Sequence, residues 1–202
     1  MVEEKISFLS NELLIEGLVC IQKGERGVVI THPHSLYGGS MYNQVVETLV
    51  GVYQEKGFST LRFNFRGVEG SEGSYDEGKG EQEDVRSALR YVHERGKKNI
   101  DLAGYSFGAW VNVKINDTHS LFNRIVMISP PVDFLDFSFL SFNPKIWLVV
   151  AGGSDDIAPA DTIANLINTW NPNACLEVIE GADHFYTGKI GTLRSTLYHL
   201  IH

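Results

Sequence analysis

The sequence predicts an α/β fold, a central and mostly parallel sheet with helices on both faces. Two observations carry that prediction. Short strand-like runs recur at 27–31, 60–65, 100–103, 123–129, 145–151 and 176–179, several of them continuous and apolar as strands buried on both faces are. From residue 27 onward they alternate with stretches of helical spacing, and parallel neighbours need such crossovers to be joined at all. In sheets of this kind the ligand site collects at the carboxyl ends of the strands, so the loops that follow the runs are where function is sought. No repeat or low-complexity linker divides the 202 residues, and one domain over 1–202 is expected.

The elements follow in order. Residues 6–10 and 13–22 read as a leading hairpin turned at Asn11-Glu12. Gly27-Val28-Val29-Ile30-Thr31 is a short buried-type strand, and it runs into His32-Pro33-His34-Ser35-Leu36-Tyr37-Gly38-Gly39, a loop rich in turn residues. Over 43–55 the apolar positions Val45, Val46, Leu49, Val52 and Tyr53 repeat as on a helix face, which Gly57 ends. The strand 60–65 leads to a polar loop, and 81–94 places Val85, Ala88, Leu89 and Val92 on one helix face with acidic residues in its first turn. Pro130-Pro131 stops the strand 123–129, and Gly152-Gly153 follows 145–151. Ile163, Leu166, Ile167 and Trp170 mark one more helix, and Ile190, Leu193, Leu197 and Leu200 mark the last.

Composition excludes more than it selects. With 43% hydrophobic and 21% charged residues the chain has the make-up of a soluble globular protein. A net charge of −8 argues against a nucleic-acid or acidic-membrane partner. The charged start, Met1-Val2-Glu3-Glu4-Lys5, lacks the apolar core of a signal peptide, and no run of about 18 apolar residues exists to span a membrane. A cytoplasmic location is expected, as a monomer or homodimer. Cys20 and Cys175 both lie in apolar, strand-like runs and read as buried free thiols.

Chemistry concentrates after the run 100–103. Gly104-Tyr105-Ser106-Phe107-Gly108 matches G-x-S-x-G, the elbow that carries a serine nucleophile between a strand and a helix. The serine must stand on a sharp, strained turn, and side chains two residues to either side would collide there, hence the glycines. The turn also brings the Phe107 N–H to the start of a helix, aimed at an oxyanion. Two later strand ends carry polar groups. Gly152-Gly153-Ser154-Asp155-Asp156-Ile157-Ala158-Pro159 follows one, and Glu180-Gly181-Ala182-Asp183-His184-Phe185 the other. In the order Ser…Asp…His, His184 would take and return the proton of Ser106, and Asp155 would hold the imidazole tautomer.

With these residues assembled, the chain resembles the α/β-hydrolases, in particular the small bacterial type without a cap domain. The resemblance runs from about residue 12 to the C terminus. It rests on His-Pro-His-x-x-x-Gly-Gly at 32–39, Arg-Phe-Asn-Phe-Arg-Gly-Val at 62–68, the elbow, Asp-Asp-Ile-x-Pro at 155–159 and Gly-x-Asp-His-Phe at 181–185. It implies an acid four residues before the proline, at Asp155, with Asp156 and Asp133 as alternatives. It also implies a second oxyanion N–H from the backbone of His34, or of Ser35 or Leu36 if the loop turns differently. Asp183 is expected to be an exposed loop carboxylate.

Other features are expected to be structural. His32 and His34 lack a third ligand at metal-site spacing, so no metal or other cofactor is expected. His93, His119, His199 and His202 read as surface residues. Gly73-Ser74-Tyr75-Asp76-Glu77-Gly78-Lys79-Gly80 imitates a phosphate loop but lacks the closing Ser/Thr and places acidic residues in the cradle. Arg66, after a strand end, is expected in a salt bridge or carbonyl contact that shapes its loop.

About fifteen residues separate Ser129 from Lys145, too few for a lid, so the site is expected to be open. Phe134, Phe137, Phe139 and Phe142 in that segment are expected as an acyl-binding wall, as core packing of the short crossover or as a dimer contact. Tyr37, Phe134 and Phe185 are the expected substrate-binding side chains. The expected reaction is hydrolysis of carboxylic esters of short to medium acyl groups through an acyl-enzyme on Ser106. Thioesters or small peptides would use the same residues, and a non-catalytic interaction scaffold is the reading from another class.

Overall fold

The computed structural model describes residues 1–115 and 121–202. His119 lies outside the described residues. Eight strands form one sheet: β1 Glu4–Ser10, β2 Leu13–Cys20, β3 Arg26–Thr31, β4 Ser59–Phe63, β5 Asn99–Tyr105, β6 Arg124–Ile128, β7 Ile146–Gly152 and β8 Cys175–Ile179. The helices are α1 Gln44–Glu55, α2 Lys79–Glu94, α3 Phe107–Val113, α4 Ala160–Trp170 and α5 Ile190–Leu200, with a single 3-10 turn at Ser35–Tyr37. The strand order is β1-β2-β4-β3-β5-β6-β7-β8. The leading hairpin pairs antiparallel and joins β4 antiparallel, and every later pair is parallel.

Alternation along the central strands builds two cores. On β6, Ile125 and Met127 face the layer that contains Val85 and Leu89 of α2, Val111 of α3 and Ile163 of α4. Val126 and Ile128 face Val46 and Leu49 of α1 and Leu193 and Leu197 of α5. A strand buried on both faces has no polar side to show, which is why 123–129 and 145–151 read as continuous apolar runs. Each such side chain contributes roughly 1.5–3 kcal/mol by leaving water. The chain moves from β3 outward to β4, then crosses back to β5 on the other side of β3. That reversal opens a crevice between the carboxyl ends of β3 and β5, where doubly wound sheets bind ligands.

Two expectations need correction. Cys20 is buried, but Cys175 is exposed, because it opens β8, the edge strand, where only Ile179 is buried. The phenylalanines after β6 do not act as a group. Phe137 packs against Trp170 in the core, with ring centroids 5.4 Å apart, whereas Phe139 and Phe142 are exposed at a separate cavity of about 270 Å³. Only Phe134 faces the crevice. Among the described residues no helix is long and apolar enough to cross a membrane.

Candidate active site

The site is built at the switch point from three loops. β5 ends at Tyr105, and Ser106 takes φ 54° and ψ −119° before α3 begins. Its neighbours show why glycine is required. A Cβ on Gly104 would stand 2.6 Å from the backbone N of Ala109, and one on Gly108 would stand 2.7 Å from the carbonyl oxygen of Thr31. The second contact also shows that α3 starts directly against the end of β3. Phe107 is the first helical residue, so its N–H has no acceptor within the helix.

Ser106 Oγ lies 2.9 Å from His184 Nε2. His184 Nδ1 lies 3.0 Å and 2.9 Å from the two carboxylate oxygens of Asp155. All three residues are buried. An Nδ1–H donated to the carboxylate leaves Nε2 free to accept from the serine hydroxyl. Asp155 Oδ1 also accepts the N–H groups of Ile157 (3.0 Å) and Ala158 (2.8 Å). Burial pushes the Asp155 carboxyl up, but the hydrogen bond and charge of His184, the Ala158 N–H and the Ser129 hydroxyl outweigh it and hold the acid below its ordinary range. Asp156 and Asp133 are exposed, and it is Asp155 that His184 faces.

The loop of His184 is held on both sides. Tyr105 Oη donates to the His184 carbonyl at 2.7 Å. Asp183, expected to be an exposed loop carboxylate, is half-buried and accepts the N–H groups of Phe185 (3.1 Å) and Thr187 (2.8 Å), which shapes the turn. Ser129, just past β6, and Tyr186, two residues after His184, which sequence reasoning missed, meet at 3.0 Å. Ser129 stands at a strand's carboxyl end, the one signal that could have marked it.

Over Ser106 opens a cavity of about 340 Å³. Ser106, His184, Phe107, His34, Tyr37, Phe134 and Phe185 all line it, so the expected residues apart from Asp155 share one wall surface. The aromatic rings touch. His34 lies 4.6 Å from Phe107 and 4.9 Å from Tyr37, and Tyr37 meets Phe134 edge-on at 5.9 Å. Neither Ser35 nor Leu36 lines the cavity, and the Leu36 N–H is taken by His34 Nδ1 at 3.3 Å. Burial holds the His34 imidazole below its usual range, and Tyr75 Oη approaches its Nε2 at 3.3 Å.

His32 has a different task. It is fully buried, with Nδ1 2.6 Å from the Pro33 carbonyl and Nε2 3.0 Å from the Phe65 N–H. The neutral ring thereby bridges the loops after β3 and β4, and burial pushes its pKa down to about 4. Among the described residues no cluster of three or more His, Cys, Asp or Glu could hold a metal ion. Arg66 forks onto Asp84 of α2 at 2.8 Å and 3.1 Å, shaping its loop as expected. In the phosphate-loop lookalike, the N–H groups of Asp76 and Gly78 donate to the carboxylate of Glu81 at 2.9 Å and 2.8 Å. The cradle is filled by the chain's own anion.

Fold and elbow together are those of an α/β-hydrolase. No protein-family model matches the chain. It is 36% identical over 172 residues to an uncharacterized protein of Rickettsia prowazekii, covering 80% of this chain and 72% of that one. It superposes on an alpha-beta serine hydrolase homologue from Coxiella burnetii with a TM-score of 0.91 and 34% identity, over 100% of this chain and 99% of the other. A serine hydrolase without lid from Xanthomonas campestris follows at 0.87 and 28%, over 100% and 94%. The chain belongs to the α/β-hydrolase superfamily, among its lid-less serine hydrolases.

Proposed function

We propose that the protein hydrolyses uncharged carboxylic esters of short to medium acyl groups through an acyl-enzyme on Ser106. The observation that carries this reading is the continuous hydrogen-bonded chain from Ser106 through His184 to Asp155, opening into an aromatic cavity. The lining contains no Lys, Arg, Asp or Glu among the described residues, which favours a substrate without charge.

In the first half-reaction Ser106 Oγ attacks the ester carbonyl while His184 Nε2 takes its proton. The N–H groups of Phe107 and His34 hold the resulting oxyanion. As the tetrahedral centre collapses, the bond to the alcohol oxygen breaks, and His184 passes its proton to that oxygen. Water then attacks the acyl-enzyme with His184 again as base, and the serine leaves with the proton. Asp155 keeps Nδ1–H in place and stabilises the imidazolium in both halves. Tyr37, Phe134 and Phe185 surround the acyl and leaving groups.

Hydrolysis of p-nitrophenyl esters across acyl lengths tests this directly. The wild type should turn over and be labelled by a fluorophosphonate, and Ser106→Ala should lose at least about a thousandfold in kcat with its fold intact. A wild type that is silent toward esters and unlabelled would overturn the reading and favour an interaction scaffold.

A further inference from the structure

The mechanism uses only the backbone of His34 and nothing of the stretch 73–80, yet the two meet beside the nucleophile. His34 is the hub of the loop after β3. Its carbonyl accepts the N–H groups of Tyr37 (3.0 Å) and Gly39 (3.1 Å), and its ring nitrogen Nδ1 accepts that of Leu36 (3.3 Å). Its own N–H has no backbone acceptor among the described residues. A ring nitrogen that accepts carries no proton, so the proton of the imidazole sits on Nε2. Nε2–H then donates to Tyr75 Oη, 3.3 Å away. The ring is held at both nitrogens.

Tyr75 belongs to the phosphate-loop lookalike, and the fold seats that stretch firmly. The Glu81 carboxylate takes the N–H groups of Asp76 and Gly78 and closes the turn directly after Tyr75. Gly78 lies against Trp110 of α3, where an added Cβ would stand 2.4 Å from the indole Cζ3. The same helix begins at Phe107. The rings of His34, Tyr75 and Phe107 pack as a triangle. Their centroids are 4.6 Å apart for His34 and Phe107, 5.1 Å for His34 and Tyr75, and 5.9 Å for Tyr75 and Phe107. The two residues whose N–H groups receive the oxyanion are therefore packed, through their own side chains, against one tyrosine. Tyr75 itself does not line the cavity.

We propose that the His34 imidazole and Tyr75 are positioning residues that lock the loop after β3 against α3, so that the N–H groups of His34 and Phe107 converge on one oxyanion. The stretch 73–80 is thereby a buttress of the oxyanion hole. The buttress rests on the acyl-enzyme reading above.

The test is ester hydrolysis by Tyr75→Phe, His34→Ala, His34→Asn and the double variant Tyr75→Phe/His34→Ala, with thermal melts beside the kinetics. Every variant keeps the backbone N–H at 34, so any loss comes from the side chains. His34→Ala should lose about tenfold or more in kcat, short of the roughly 10²–10³ expected when a donor is removed outright. His34→Asn, whose amide oxygen can accept the Leu36 N–H in place of Nδ1, should recover part of that loss. Tyr75→Phe keeps the ring and should lose about fivefold in kcat at unchanged KM. In the double variant the tyrosine change should lower kcat no further, because its hydroxyl acts through the imidazole. Inhibition by a short alkyl boronic acid, whose tetrahedral adduct on Ser106 carries the oxyanion, should weaken by the same factor as kcat. A kcat within twofold of wild type in Tyr75→Phe, or its full loss repeated in the double variant, would overturn the buttress. So would a His34→Ala effect confined to KM, no recovery in His34→Asn, or boronic acid inhibition that stays unchanged while kcat falls. Tyr75→Phe alone decides the matter if His34→Ala does not fold. A wild type without serine-dependent hydrolysis overturns the underlying reading and the buttress with it, whereas an active wild type with unaffected variants overturns the buttress alone.

Discussion

β5 carries a buried carboxylate near its start and leads to the nucleophile at its end, and the two ends of the sheet can be compared directly. At the amino end Asp101 accepts from Arg124 Nε at 2.9 Å and Nη2 at 2.7 Å, and from Tyr53 Oη at 3.1 Å. The guanidinium also lies 3.9 Å from the ring of Trp147. At the carboxyl end Asp155 is buried to the same degree, but its side-chain partner is the imidazole of His184. Both sites satisfy a buried carboxylate. A guanidinium never gives up its proton, so the first arrangement can only stabilise. An imidazole can take up a proton and return it, and the second nitrogen of His184 faces a serine at the wall of a cavity. The backbone differs as well, regular around Asp101 and left-handed at Ser106, Ser129 and Tyr186. Partner chemistry and strain, more than burial, separate a structural aspartate from one suited to catalysis.

The comparison can be broken at either end. The largest effect is expected from Asp155→Asn, which should lower kcat by on the order of 10³–10⁴ by stabilising the wrong imidazole tautomer. Substantial survival of activity would move the acid role to Asp156 or Asp133. Arg124→Met should leave kcat untouched yet cost roughly 2–4 kcal/mol in urea unfolding, because Asp101 keeps its charge and loses its partner. If activity fell in parallel, the two ends would not be independent.

His32 sharpens the comparison through pH. Its folded pKa of about 4 lies below the ordinary 6.5, so the unfolded chain binds the proton first. The contribution is complete above about pH 6.5 and is lost as pH falls toward 4, up to about 3 kcal/mol in all. Asp155, held below its ordinary range, adds a loss in the same direction at lower pH. Urea midpoints across that range should show the slope, and His32→Gln should flatten it between pH 6.5 and 4. The smallest effect is expected from Phe134→Ala, whose half-exposed ring should change KM for larger acyl groups by about tenfold or less at similar kcat. A main effect on kcat would place that ring closer to the reacting carbonyl than the cavity wall.

Chain-local physics determined much of this protein before any contact was known. Apolar runs and helical spacing predicted the parallel sheet, since a strand buried on both faces and an amphipathic helix announce themselves within a few residues. Ser106 was legible because an elbow needs its glycines two positions away, and Asp155 and His184 because each follows a strand in a recognisable turn. Tertiary structure decided what depends on partners far along the chain. Nothing local marks Ser129 as bonded to Tyr186, 57 residues on. Edge position alone exposes Cys175, and the two faces of one crossover send Phe134 to the cavity and Phe137 to the core. The lookalike phosphate loop was settled by Glu81, whose carboxylate folds back onto the N–H groups of Asp76 and Gly78. Turn chemistry and periodicity are properties of neighbours in sequence, whereas strain, burial of charge and the pairing of loops exist only once the sheet has brought distant strand ends together.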